Sequence, residues 1–299
     1  MQKCILNLYL TTVVDNMKNL MEPIFDDINI YNNIVRSKRS PRKETLNSIF
    51  EIIVNCYIEY NEAKNELELM SPFFISTNKE IQDLKSCLRH CYESPTAKLN
   101  ALKKNILKIQ SKESQGTCQL CGIDSPSTFD HYLPKESFPE FSILSKNLIP
   151  CCFECNNKKG NKWIENGKRL IMNLYFDQLV EVPFLKTRIE IEDQIPIMIF
   201  YIENAQLSPR EIDLINTHFK TLNLFKRYKQ QAHQIISFII SEITSFGLIN
   251  RERSELKLHL RRHATAIKSN YGENMWTASI YEAVSENDEC LDILCSEIV

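Results

Sequence analysis

The chain has 299 residues, 43% of them hydrophobic and 25% charged, and a formal net charge of -2. The near-neutral balance excludes a strongly basic nucleic-acid coat, so any nucleic-acid binding must come from local basic patches. No apolar run approaches the ~18 residues of a membrane span. Eleven cysteines, an odd number scattered over helical stretches, do not read as a secreted disulfide framework, and a reducing cytoplasm fits better.

The length suits one to three domains. The start, MQKCILNLYLTTVVDN, has only Lys3 as a basic region and no small-residue cleavage site, so it reads as a buried strand or helix start. Helical spacing of apolar residues then predicts helices over 15–35 and 44–70. In the second, Leu46, Ile49, Phe50, Ile53, Tyr57 and Ile58 line one side. Between them Arg36–Lys43 reads as a solvated basic linker, with phosphate contact as its functional alternative. Two more helices are predicted over 78–92 and 95–111. Cys87 and Cys91, four apart, read as small buried residues rather than metal ligands. The second helix sets Leu99, Leu102, Ile106 and Ile109 against a lysine face of Lys98, Lys103, Lys104, Lys108 and Lys112.

Four of the six glycines (Gly116, Gly122, Gly160 and Gly167) fall between 116 and 167, which marks a compact, turn-rich module. A short helix is predicted over 165–176. Segments 184–192 and 195–203 alternate like strands and predict a hairpin across Glu192–Pro196. Ser208, Pro209 and Glu211 form a helix start, with three or four helices filling 209–299. His90, His218, His233, His259 and His263 read as ordinary helix residues, and Arg261, Arg262 and His263 as a solvated face. The chain therefore divides into a helical region 1–112, a central module 113–176 and a mainly helical region 177–299. The fold class is α+β and mostly helical.

The chemistry concentrates between Cys118 and Lys162. Two Cys-x-x-Cys knuckles, Cys118/Cys121 and Cys152/Cys155, stand 30 residues apart. Each presents two thiolates with the bite of a tetrahedral ion, and together they predict a closed, structural zinc site. Cys151 lies beside Cys152, and either can pair with Cys155; the spacing favours Cys152. Between the knuckles, His131 is a general base able to accept a proton near neutral pH. Asp130 and Asn156 are hard oxygen donors suited to Mg²⁺. Asn147 can hold the loop in register. Neighbours on a strand point to opposite faces, so Asp130 and His131 share a site only if the strand ends there, which Pro134 favours.

The pattern C-x2-C … DH … N … C-x2-C-N-x2-K resembles the HNH (ββα-metal) endonucleases in their zinc-stapled, HNN form. The resemblance covers roughly residues 115–165. It implies Asp130 and His131 on a first strand, Asn147 at a second, and Cys152–Trp163 opening a helix. By the same resemblance His131 is the general base, Asp130 and Asn156 hold a catalytic Mg²⁺ or Mn²⁺, and Asn147 orients the loop. Lys159 matches the lysine that commonly follows and implies a phosphate contact, with Lys158 and Lys162 beside it. The longer phrasing DHYLPK … FPEFS … NLIPCCFECNNKKGNKW is similar to bacterial HNH proteins of phage-defence and restriction loci, including the HNH subunit of Septu-type systems. NLYFD, THFKTLNLFKRY and NMWTASIYEA also resemble helical tails joined to such modules. The resemblance implies a cytoplasmic endonuclease that cuts DNA, partnered by an ATPase or sensor subunit. The alternatives are a zinc module that binds nucleic acid or a partner without cutting, and an RNA-directed nuclease.

Overall fold

A computed structural model of the chain describes residues 19–177, 182–203 and 206–296. The start expected as a buried strand or helix lies outside the described residues, as do the first positions of the helix predicted over 15–35.

The N-terminal region is helical. Helix α1 (Asp27–Arg36) is capped by Asp26, whose side chain accepts from Asn29 N, and buries Tyr31, Ile34 and Val35. The helix predicted over 44–70 is instead two, α2 (Arg42–Ser48) and α3 (Phe50–Glu62), broken at Ile49, followed by a 3-10 turn at Leu67–Leu69. Ile58, expected on the packed side, is 50% exposed. Helices α4 (Lys79–Glu93) and α5 (Ala97–Lys108) start at Asn78 and Thr96, whose side chains accept the N–H groups that a helix start leaves unpaired. A short helix, α6 (Lys112–Gly116), comes next. The basic linker departs from the expected solvated stretch at Lys38. This side chain is buried, and its Nζ donates to the carbonyls of His90 and Ser94 at the end of α4.

The central part places β1 (Thr128–His131) antiparallel to β2 (Leu148–Cys151), with Asp130 opposite Ile149 and His131 opposite Leu148. Helix α7 (Phe153–Lys159) comes after β2 and is shorter than predicted, because Gly160 turns the chain with a φ of 50°. The helix predicted over 165–176 is absent. In its place β3 (Ile164–Glu165) and β4 (Lys168–Arg169) form a small hairpin across Asn166-Gly167. Both turn residues have positive φ, the preference of an Asn-Gly turn, and this local chemistry overrides the apolar spacing. The NLYFD segment is then a turn in which Asp177 accepts from Asn173 N and pairs with Arg169.

The predicted hairpin is present as β5 (Leu185–Glu192) and β6 (Ile195–Ile202), joined through Asp193-Gln194, both at positive φ. Helix α8 (Pro209–Leu222) opens with the full capping box of Ser208 and Glu211. With α9 (Leu224–Ser245), α10 (Arg253–Tyr271), α11 (Trp276–Glu286) and α12 (Asp288–Ser296), the described residues of 209–299 form five helices where three or four were predicted. Among the described residues no helix is long and apolar enough to cross a membrane. One continuous buried cluster runs from Leu20 to Leu294 and includes the four knuckle cysteines. The three regions divided by sequence therefore share a single core.

Candidate functional site

The two knuckles meet. The Sγ atoms of Cys118, Cys121, Cys152 and Cys155 all lie within 4.8 Å of one another, and all four residues are buried. Four bonds of ~2.3 Å in a tetrahedron set thiolates about 3.8 Å apart, and Cys121 Sγ stands 3.8 Å from Cys152 Sγ. The donor set and its spacing fit zinc. Cys151 is excluded from the group: its Sγ faces Thr128 Oγ1 at 3.5 Å, and burial pushes its thiol up to about 12. Cys152 also starts α7, its Sγ accepting from Cys155 N at 3.4 Å.

Four thiolates on a divalent ion leave two negative charges inside the protein. Arg227 of α9 answers them, with Nη1 3.3 Å from Cys155 Sγ and Nη2 3.9 Å from Cys152 Sγ. The C-terminal region also takes three successive carbonyls of the first knuckle. His218 Nε2 donates to Leu120 O at 3.0 Å, Tyr228 OH to Cys121 O at 3.0 Å, and Trp276 Nε1 to Gly122 O at 2.9 Å. Gly122 has a φ of 66°, and a Cβ there would meet Met275 Sδ at 3.0 Å, so this close approach requires glycine. Sequence reading missed Arg227, Tyr228 and Trp276 as supports of the zinc site and set His218 aside. The partners are too distant along the chain for any local signal to link them.

Beside this staple, β1 ends at His131, as Pro134 predicts. His131 Nε2 faces the carbonyl of Ser142 at 2.9 Å, so it must carry the hydrogen. The lone pair is then on Nδ1. The ring meets Tyr92 of α4 edge-on, centroids 4.3 Å apart, and Lys103 of α5 sits 3.8 Å from the centre of the Tyr92 ring. Burial pushes His131 down to about 3, helped by the charges of Lys159, Lys135 and Lys103, so in this arrangement the imidazole is a weaker base than the near-neutral one expected from sequence.

Asn147 is fully buried and holds the loop between the strands. Its Oδ1 accepts from Leu133 N at 2.8 Å, and its Nδ2 donates to Leu133 O and Phe141 O. Tyr132 N adds a bond to the Asn147 carbonyl. These bonds tie Leu133, Phe141 and Asn147 together across the loop between the strands. Asn156 lies on α7 against β1, its Nδ2 donating to Thr128 Oγ1 at 3.1 Å and Phe129 O at 3.4 Å. The oxygen is thus the end of its carboxamide that can serve a cation.

Lys159 departs from its expected role. It is fully buried, its Nζ 2.9 Å from Asp130 Oδ2, 3.1 Å from Oδ1 and 2.7 Å from the His131 carbonyl. No phosphate contact is open to it in this arrangement. Lys158 is half-buried against Glu154, and Lys162 is exposed three residues past the helix, so these two keep access to solvent. Burial pushes the Asp130 carboxyl up to about 6, while the Lys159 ammonium beside it pulls the other way and favours the ionised form. Asn156 and Lys159, three residues apart, share one face of α7, which turns Asn156 toward the same side of β1. The donor types fit a hard divalent ion, since an ionised carboxylate has about four lone-pair sites and Lys159 uses only part of them.

Two known proteins are similar to the chain. Protein ea31 of Escherichia phage lambda is 24% identical over 215 residues, 64% of this chain and 73% of that protein. The Septu protein PtuB of Bacillus thuringiensis is 36% identical over 56 residues, 18% of this chain and 21% of that protein. The chain thus matches about a fifth of the Septu protein's length. No family model matches the chain, and no solved structure does.

Proposed function

We propose that the chain is an HNH-type endonuclease that hydrolyses DNA phosphodiester bonds in a bacterial defence or restriction system. The observation that carries this reading is the arrangement at the end of β1: His131 donates from Nε2 to Ser142 O and so keeps its lone pair on Nδ1, while the helix of the second cysteine knuckle brings Asn156 and Lys159 against the same strand. His131 Nδ1 takes the proton from the attacking water. Asp130 and Asn156 hold the divalent ion, Mg²⁺ or Mn²⁺, which when bound supplies positive charge to the phosphate and the leaving oxygen. Lys159 keeps Asp130 ionised and oriented. Lys158 and Lys162 are the lysines left to meet the backbone of the nucleic acid.

The stretch shared with the Septu protein supports the defence role, and with it a partner subunit of ATPase or sensor type. None of the ten described cysteines is in a disulfide, which suits a reducing cytoplasm. Plasmid incubated with the protein and Mg²⁺ or Mn²⁺, with and without EDTA, tests the chemistry, and a parallel RNA substrate tests its target.

A second reading is favoured by one observation. Asp130 and His131 are only 4% and 7% exposed, and both carboxylate oxygens of Asp130 face Lys159. A zinc-stapled module that binds DNA or a partner without cutting would tolerate that burial. It predicts binding unchanged in His131→Ala and no cleavage with any metal.

A further inference from the structure

We propose that Glu242, His259 and His263 form a second metal site, one that takes a divalent transition ion of the zinc type and is independent of the nuclease reading. His259 and His263 stand four apart on α10, so both rings leave one face of that helix. Both converge on one carboxylate of α9. His259 Nε2 is 3.3 Å from Glu242 Oε2, and His263 Nδ1 is 3.1 Å from the same oxygen. The three donor atoms lie within 4.8 Å of one another.

The spacing is that of a coordination polyhedron. Bonds of ~2.0–2.2 Å to nitrogen and oxygen place neighbouring tetrahedral ligands about 3.3 Å apart. The nitrogen-to-oxygen distances already match. Two imidazoles and a carboxylate favour zinc and its neighbours over Mg²⁺ or Ca²⁺, which prefer all-oxygen shells. The support around the donors is also in place. Tyr281 of α11 donates its OH to Glu242 Oε1 at 2.8 Å and so orients the carboxylate, whose two oxygens both lie close to His263 Nδ1, at 3.0 Å for Oε1 and 3.1 Å for Oε2. The Tyr281 ring stacks on His263, centroids 4.4 Å apart and 22° from parallel, and so fixes the imidazole plane. Hydrogen-bonded supports of this kind orient ligands and tune the metal.

Three protein donors leave a fourth position open, the arrangement of a zinc site that binds water or a substrate group. Glu242, His263 and Tyr281 also line an open surface hollow of about 390 Å³, together with Phe238 and Phe246. The Cys4 cluster is saturated by its own thiolates and has no such opening. Helix α9 links the two sites, carrying Arg227 at the thiolates and Glu242 fifteen positions on, about 22 Å along the axis.

The test is a metal count on the full chain. Protein equilibrated with excess ZnCl₂, then desalted, is analysed for zinc by plasma mass spectrometry. Wild type should hold two zinc ions per chain, and His259→Gln/His263→Gln should hold one. Tyr281→Phe should keep the first and bind the second ~10–100-fold more weakly. The ion in the Cys4 cluster reports in each sample that the fold is intact. A wild type that stops at one ion, or a double variant that still holds two, overturns the proposal. If the double variant loses both ions, His263→Gln decides: the second zinc bound as tightly as in wild type is the contradicting result.

Discussion

Lys159 and Asp130 form a buried ion pair, with Nζ 2.9 Å from Oδ2 and neither side chain more than 5% exposed. The helix that opens at the second cysteine knuckle is thereby tied to the strand that carries His131. Removing one partner of such a pair strands a charge in the core, which costs about 3–5 kcal/mol. Lys159→Met should therefore lower the urea midpoint sharply, whereas Lys162→Ala, at an exposed position, should change stability by no more than ~0.5 kcal/mol. If the two variants have equal midpoints, Lys159 is not the structural cation described here.

Arg227 plays a comparable part at the cysteines. A guanidinium 3.3 Å from Cys155 Sγ would offset the charge of zinc held by the four thiolates. Arg227→Gln should release zinc to a chelating dye faster and bind it ~10-fold or more weakly. Unchanged release kinetics would show that the arginine serves only its contacts with Asp124 and Glu154.

His218 supplies a pH dependence. Burial holds its folded value at about 4, against the ordinary 6.5. Between those two values the unfolded chain takes up a proton that the folded chain refuses. Stability is full above pH 6.5 and falls as the pH drops toward 4. At about 1.4 kcal/mol per unit, the loss over that window is about 3 kcal/mol. Denaturant titrations at a series of pH values should show this slope in wild type and its reduction in His218→Gln. Parallel curves would assign the acid sensitivity elsewhere.

Tyr92 covers His131. Tyr92→Ala should open the imidazole to solvent and raise the rate at which diethyl pyrocarbonate modifies His131, read by peptide mass spectrometry. Tyr92→Phe, which keeps the ring but loses its bond to Phe129 O, should not. Equal rates in all three proteins would mean that another group shields the ring.

These sites differ in how far the sequence reveals them. The four cysteines, the end of β1 at His131, the β5–β6 hairpin and the Ser208 capping box are legible because each depends on residues close in sequence or on a fixed spacing. The β3–β4 hairpin is hidden because the apolar spacing around it suggests a helix and masks the Asn166-Gly167 turn. The split between α2 and α3 has no punctuating Gly or Pro. The clamp of His218, Tyr228 and Trp276 on Leu120, Cys121 and Gly122 joins residues about a hundred or more positions apart, with backbone carbonyls as the acceptors. No side-chain pattern encodes a carbonyl acceptor. Lys159 illustrates a further limit: a lysine in a basic run, Lys158 to Lys162, looks solvated until the register of α7 turns it inward.

Whether His131 activates water for phosphodiester cleavage is decided by the rate of supercoiled plasmid nicking in Mg²⁺ or Mn²⁺. Wild type and His131→Ala are compared, both with zinc content confirmed. A general base at this position requires EDTA-sensitive nicking by wild type and a loss of ~10²-fold or more in the variant. Equal rates in the two proteins, or no cleavage by either with any metal, would contradict it.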